Sequence, residues 1–211
     1  GRIFGCLREN DLFKNTWVIF TADHGEMLGD HHMSQKNLFF EGSAHVPLLI
    51  MPPQGRSLPQ NISVEAPTDL VDLYPTILAM AGLSSPVSVS GKNLLEPVPM
   101  DRMFFGNSLN KNFCVMEEKV KLVYSAVGDH VLLFDLNTDP MEQHNLAKDP
   151  AWQERKAKLW KLLLEHTAQY TPEALDENGQ FLTYEAPHFP GDVPGRWFGF
   201  HYHDYSVDTF H

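Results

Sequence analysis

Asn15-Thr16-Trp17-Val18-Ile19-Phe20-Thr21-Ala22-Asp23-His24-Gly25-Glu26-Met27-Leu28-Gly29-Asp30-His31 is the stretch on which the reading of the fold turns. Trp17 to Thr21 is an unbroken β-branched and aromatic run, which predicts a fully buried strand. The run ends in a polar loop, and in open α/β sheets ligands bind outside the C-terminal ends of strands. Asp23 and His24 deliver a carboxylate and an imidazole side by side, half of a divalent-metal shell. Gly25 is expected to turn the backbone sharply so that both side chains face one site. Lys36, thirteen residues after Asp23, adds a positive charge for an anionic oxygen. Metal, imidazole and ammonium together suit a reaction that builds negative charge on a sulfuryl or phosphoryl group. Asp-His-Gly alone also makes an Asx turn, and a lysine alone is commonly solvated. The position at the end of an apolar strand tips the reading toward a metal site.

Outward from this stretch, Ile3, Phe4 and Leu7 read as the last turns of an amphipathic helix ending near Asn10-Asp11, with no N-cap before it. Val46 to Met51 is a second candidate buried strand, closed by Pro52-Pro53. Leu38, Phe39 and Phe40 mark a short helix or turn. Asp72 is expected to cap a helix with Leu73, Ile77, Leu78 and Ala81 on one apolar face, Pro75 in its first turn and Gly82 at its stop. Ser84 to Pro99 is a Pro/Ser/Gly-rich connector. Beyond it, Met103 to Gly106, Phe113 to Met116, Val120 to Tyr124 and Val131 to Phe134 predict a small antiparallel sheet. Asp139-Pro140-Met141-Glu142 and Asp149-Pro150 read as helix starts. Trp152, Leu159, Trp160 and Leu163 form one stripe of a helix that reaches about Gln169 and covers that sheet.

The whole chain has 211 residues, 43% of them apolar, and 16 basic against 27 acidic residues leave it at net −11. Such a chain buries a real core, which excludes global disorder. Its overall field repels a polyanion, so no nucleic-acid partner is expected. No apolar run is long enough to span a bilayer. Cys6 and Cys114 cannot build a disulfide framework or a thiolate zinc site. Of eleven histidines, four lie between His24 and His45. His31, His32 and His45 read as structural or as neighbours of the ligands, and His130, His144 and His166 as a turn, a capping turn and a helix residue. From Thr171 to His211 seven acidic residues face one basic residue, with nine aromatics from Phe181 onward. That composition predicts a tail laid on the body.

The Asn15–His31 stretch resembles the second metal-binding segment of the sulfatase family, within the alkaline-phosphatase-like superfamily. Lys36 matches the family lysine that contacts sulfate. Glu41-Gly42-Ser43-Ala44-His45-Val46-Pro47-Leu48-Leu49-Ile50 is similar to the following segment, with His45 in place of a frequent arginine. Val71 to Gly82 resembles the next helix. Leu133-Phe134-Asp135-Leu136, Asp139-Pro140, Glu142 and Asn145-Leu146 are similar to the signature of the C-terminal subdomain.

The resemblance implies an α/β chain: the C-terminal part of a mixed-sheet alkaline-phosphatase-like fold plus a small antiparallel sheet subdomain with a packed helix. Residues 1–99 would belong to the catalytic domain, 100–170 to the subdomain and 171–211 to the packed tail. It implies sulfate-ester hydrolysis with a divalent metal and a formylglycine made from Cys or Ser in a Cys/Ser-x-Pro/Ala-x-Arg motif. Cys6 is followed by Leu-Arg-Glu-Asn and Cys114 by Val-Met-Glu-Glu, and no serine fits. The nucleophile is therefore expected upstream, in a missing N-terminal half, and the isolated chain is expected to be inactive. Asp23 and His24 are the expected metal ligands. Calcium leads on family grounds, with manganese or zinc as alternatives because calcium prefers oxygen ligands.

Lys36 and His45 are the expected contacts to a small-molecule or glycan sulfate ester. His201 and His203, with Arg196-Trp197-Phe198 and His211, are expected to reach a cleft; the alternative is that they pack on the small sheet. Periplasmic or secreted placement fits the family, and the cytoplasm stays open. Two other functions compete: a phosphonate monoester or phosphodiester hydrolase of the same superfamily, and a non-catalytic sulfate- or glycan-binding domain.

Overall fold

The computed structural model describes residues 1–33, 36, 38–56 and 63–185, the side chain of His32 excepted. In chain order the elements are α1 (Arg2–Glu9), β1 (Val18–Phe20), α2 (Glu41–Ala44), β2 (Leu49–Met51), α3 (Leu73–Met80), β3 (Phe104–Ser108), β4 (Asn112–Glu117), β5 (Val120–Ser125), β6 (His130–Asp135) and α4 (Gln153–Tyr170). They divide into two units. One comprises Gly1–Asp23 and Val46–Met100; the other comprises His24–His45 and the chain from Asp101 onward. Among the described residues no helix is long and apolar enough to cross a membrane.

In the first unit, β1 and β2 pair antiparallel, Val18 opposite Met51 and Phe20 opposite Leu49. The expectation of fully buried strands fails here. Val18 and Ile19 are half-buried, while Phe20 is 61% and Leu49 59% exposed. Two strands of three residues cannot bury both of their own faces, because a sheet needs further strands or a helix to cover it.

Helix α3 also starts differently from the expectation. Asp69, not Asp72, opens the helical segment: each side chain accepts a bond in a reciprocal capping box around the turn Leu70–Asp72, which runs directly into α3. Asp72 is wholly buried and accepts from the Asp69 amide at 2.8 Å and the Lys92 amide at 2.7 Å. It therefore ties the helix start to the connector instead of capping α3. The predicted stop is present. Gly82 has φ +72°, Leu83 N–H donates to Leu78 C=O at 2.9 Å, and Gly82 N–H donates to Ala79 C=O at 3.1 Å. That paired closure needs the left-handed residue that glycine supplies cheaply. The apolar face of α3 is only partly covered, with Ile77 51% exposed.

The second unit is built on the antiparallel meander β3-β4-β5-β6. All four strands lie within two residues of the apolar runs that predict them. On one face Phe113, Val115, Val120, Leu122, Tyr124 and Leu133 pack with Leu159 and Leu163 of α4. Cys114, Val123, Leu132 and Phe134 point to the other face and pack with Met27, Met33, Leu38 and Phe40. The sheet is thus a middle layer, with α4 on one side and the His24–His45 segment on the other. Asp149 caps the entry to α4, accepting from Ala151 N–H at 2.8 Å, as its Asp-Pro pair predicts. After α4 the chain stays on this unit: Phe181 is buried against Phe113, Tyr124 and Trp160, and Tyr184 bridges to Val127.

Glu142 departs from the predicted helix start. Its backbone has φ +56°, so the Asp139-Pro140 turn closes without becoming a helix. Asp139 instead accepts from the amides of Gln143 at 3.1 Å and His144 at 2.8 Å.

His166 of α4 lies flat on Phe105, centroids 3.9 Å apart and planes 3° from parallel. Burial lowers its pKa from the ordinary 6.5. The folded state then binds fewer protons than the unfolded one, so this contribution is complete above 6.5 and fades as pH falls through that value. His166→Phe should flatten the fall in melting temperature between about pH 8 and about pH 5. Thermal melts of both proteins across that range check it; parallel curves would show that His166 is not the titrating group.

Candidate active site

Asp23 closes one segment of the first unit and His24 opens a segment of the second. Asp23 is exposed and His24 half-buried. His24 Nδ1 lies 2.7 Å from the carbonyl oxygen of Gly25. A carbonyl only accepts, so Nδ1 carries the hydrogen. His24 Nε2 lies 2.5 Å from Lys36 Nζ, and an ammonium only donates, so Nε2 presents its lone pair. This is the tautomer that a metal-binding imidazole requires, fixed by a backbone carbonyl on its other nitrogen. Lys36, exposed along its stem, brings its charge to the same nitrogen. His24 and Lys36, twelve residues apart, are thus brought together.

Gly25 has a different role from the one its position suggests. It is not among the positive-φ residues. Its N–H donates to Ser43 C=O at 2.8 Å, and a Cβ there would lie 2.1 Å from the Gly42 carbonyl oxygen. Glycine is needed for close backbone approach, not for a turn.

His45 sits at the far end of the segment, its side chain 75% exposed and its Nδ1 2.8 Å from Glu41 Oε2. His31 stacks on Phe40 at 4.2 Å. His201 and His203 lie outside the described residues. Among the described residues no three His, Cys, Asp or Glu side chains gather to hold a metal. The donor set at His24 fits a divalent ion as a partial shell: a fixed imidazole lone pair next in the chain to a carboxylate.

A sequence model of the family described as Sulfatase matches residues 1–83. Arylsulfatase K of Xenopus laevis is 34% identical over 167 residues, which is 70% of this chain and 31% of that protein. The chain belongs to the sulfatase family, within the alkaline-phosphatase-like superfamily. Another sulfatase relative, the uncharacterized sulfatase YidJ of Escherichia coli (strain K12), is 32% identical over 178 residues, 79% of this chain and 35% of the relative. The α/β architecture agrees with the family. The crystal structure of the phosphonate monoester hydrolase of Agrobacterium radiobacter matches with a TM-score of 0.63 and 32% identity, over 85% of this chain and 41% of that one. The chain spans about a third of the length of the curated sulfatases it matches.

A buried charge cluster under this sulfatase segment escapes the sequence reading. Lys121 and Glu142 have side chains 3% and 1% exposed. Lys121 Nζ lies 2.6 Å from both Glu142 Oε1 and Glu41 Oε1. Burial works against the ammonium, but the charges of Glu142 and Glu41 outweigh it and hold the Lys121 pKa above its ordinary value. Burial pushes Glu142 upward, opposed by Lys121. The asymmetry is physical: one ammonium serves two carboxylates, whereas each carboxylate has one ammonium and a like charge beside it. A visible signal existed, a lysine in the apolar strand Val-Lys-Leu-Val-Tyr-Ser of β5.

Proposed function

We propose that this chain carries half of the metal shell and a sulfate contact of an enzyme that hydrolyses sulfate esters, with a formylglycine nucleophile supplied from outside these residues. The observation that carries the reading is the state of His24: its Nδ1–H is committed to Gly25 C=O at 2.7 Å, and its Nε2 lone pair is turned to the Lys36 ammonium at 2.5 Å. Asp23 and His24 are the proposed ligands, with calcium first and manganese or zinc as alternatives. A divalent ion, when bound, withdraws charge from the sulfuryl oxygens. His24 has one lone pair, so Nε2 serves either the ion or Lys36. Were Nε2 to hold a divalent ion, the Lys36 ammonium would be left to hold an anionic ester oxygen. His45 and, from the tail, His201 and His203 are proposed contacts to the alcohol part of a small-molecule or glycan sulfate.

The nucleophile's absence from the sequence and the length of the relatives both support inactivity of the 211 residues alone. A second reading, phosphonate monoester hydrolysis, is favoured by the 32% identity to the Agrobacterium hydrolase. A sulfate ester and a phosphonate monoester are both tetrahedral monoanions, so groups that hold one also suit the other.

Matched aryl sulfate and aryl phosphonate esters, offered to the full-length protein alongside elemental analysis, test both readings. Faster sulfate turnover with bound divalent metal is expected, with both lost in His24→Ala. A large preference for the phosphorus ester would transfer the assignment to the second reading. Neither turnover nor metal would leave a sulfate- or glycan-binding domain.

A further inference from the structure

We propose that the buried Lys121–Glu142 pair is a positioning device for His24, acting through the turn Glu41-Gly42-Ser43. The inference rests on the reading of His24 as a site residue.

The path is continuous and lies within one unit. Lys121 projects from β5 onto the face covered by the His24–His45 segment, beside Cys114 and Val123. It grips Glu41 Oε1 and Glu142 Oε1, each at 2.6 Å. The second contact is an ion pair without hydrogen-bond geometry. Glu142 also accepts the backbone N–H of Glu41 at 2.7 Å through Oε2. Glu41 is thus held by both its main chain and its side chain. The next two residues hold the start of the segment: Ser43 C=O accepts Gly25 N–H at 2.8 Å, and Gly42 C=O touches Gly25 where a Cβ would stand. Gly25 C=O in turn fixes the His24 ring at 2.7 Å. Four steps connect a sheet lysine to the tautomer of a candidate ligand.

Two costs argue that this arrangement serves more than stability. Glu142 is a non-glycine residue at φ +56°, and it buries a carboxylate that is 1% exposed. Apolar replacement of a buried ion pair is often neutral or stabilising, so a pair retained at such cost fits a role in specifying geometry. The path also explains why Lys121 interrupts an otherwise apolar strand.

The test is Lys121→Met with Glu142→Gln in the full-length protein, a pair that removes the charges while leaving residue 142 an acceptor for the Glu41 amide. Amide exchange across β4 to β6 reports whether the sheet is intact. Amide exchange at Gly25 and the ring-nitrogen shifts of labelled His24 report the proposed positioning. With the sheet protected as in the parent, exchange at Gly25 should speed up at least about tenfold and the Nδ1–H signature of His24 should be lost. Affinity for manganese should fall about 10–100-fold, as for other residues that orient a metal ligand. Unchanged Gly25 exchange and an unchanged His24 signature would overturn the proposal and leave Lys121–Glu142 a stability element. If the double variant unfolds, Glu41→Gln, which keeps the backbone bond and removes the charge, is measured by the same readouts, and parent-like values there overturn the proposal equally. A parent protein that binds no manganese would overturn the metal reading, while the exchange and tautomer readouts still decide the positioning.

Discussion

Leu159→Ala is expected to lower the unfolding free energy of the sheet-bearing unit by about 2–5 kcal/mol. Leu159 is fully buried on α4 and belongs to the cluster that includes Val115, Leu122, Leu133 and Leu163. Val115 and Leu122 come from β4 and β5, each paired on both sides, and the sheet is packed on its other face as well, so little backbone can move in to fill the space. The cost should therefore sit toward the upper part of the range, where a cavity persists. A shift of the urea midpoint with an unchanged slope checks it. Ile77→Ala on α3 is the contrast. Ile77 is 51% exposed, so its truncation should cost well under half of the Leu159 loss. Equal losses would mean that α4 does not form the floor of this core.

The sheet was legible because its signals are local. Short β-branched and aromatic runs from Phe113 to Phe134 mark the strands, and the Asp149-Pro150 pair fixes the entry to α4. Where several structures share a signal, the reading failed. Asp-Pro-x-Glu suits a helix start or a closed turn, and here Glu142, paired with the buried Lys121 and the Glu41 amide, takes the turn with φ +56°. Glu118 and Lys119, between β4 and β5, take φ +53° and +62° without glycine or asparagine. That turn is supported by Arg155, which donates to Glu117 C=O at 2.9 Å, a contact 38 residues away that no local pattern contains. The burial of β1 was overread for the same reason. Trp17 to Thr21 encodes a strand, and what covers it is a matter of neighbours.

The site divides likewise. Asp23 beside His24 is written in the sequence, as is Lys36 as a nearby positive charge, whereas the contact of Lys36 with His24 joins residues that no local pattern pairs. The Lys121–Glu142 support joins β5 to the turn that follows β6. Its one trace was a lysine among apolar residues, which alone does not name a partner.

Gly25→Ala is expected to do the most damage per atom added. The new methyl would stand 2.1 Å from Gly42 O, 3.1 Å from Gly42 C and 3.4 Å from Ser43 Cα, all backbone atoms that cannot rotate away. Relief requires the two backbone segments to part, which breaks the 2.8 Å bond from Gly25 N–H to Ser43 C=O and shifts the carbonyl that fixes His24. Overpacking of this kind costs about 1–3 kcal/mol or more. Affinity for a divalent ion should fall about 10–100-fold, because the ligand loses its orienting partner. Gly42→Ala separates close approach from a general intolerance of alanine in this segment. Its Cβ would meet Met27 Sδ at 3.4 Å, the far part of a flexible side chain, and it lies in helix α2, where alanine is the better helix former. Gly42→Ala should thus leave melting temperature and metal affinity near the parent values. If both alanines are tolerated alike, the Gly25–Gly42 contact does not hold the site. If Gly25→Ala lowers metal affinity far beyond its loss of stability, the contact is what sets the position of the His24 ring.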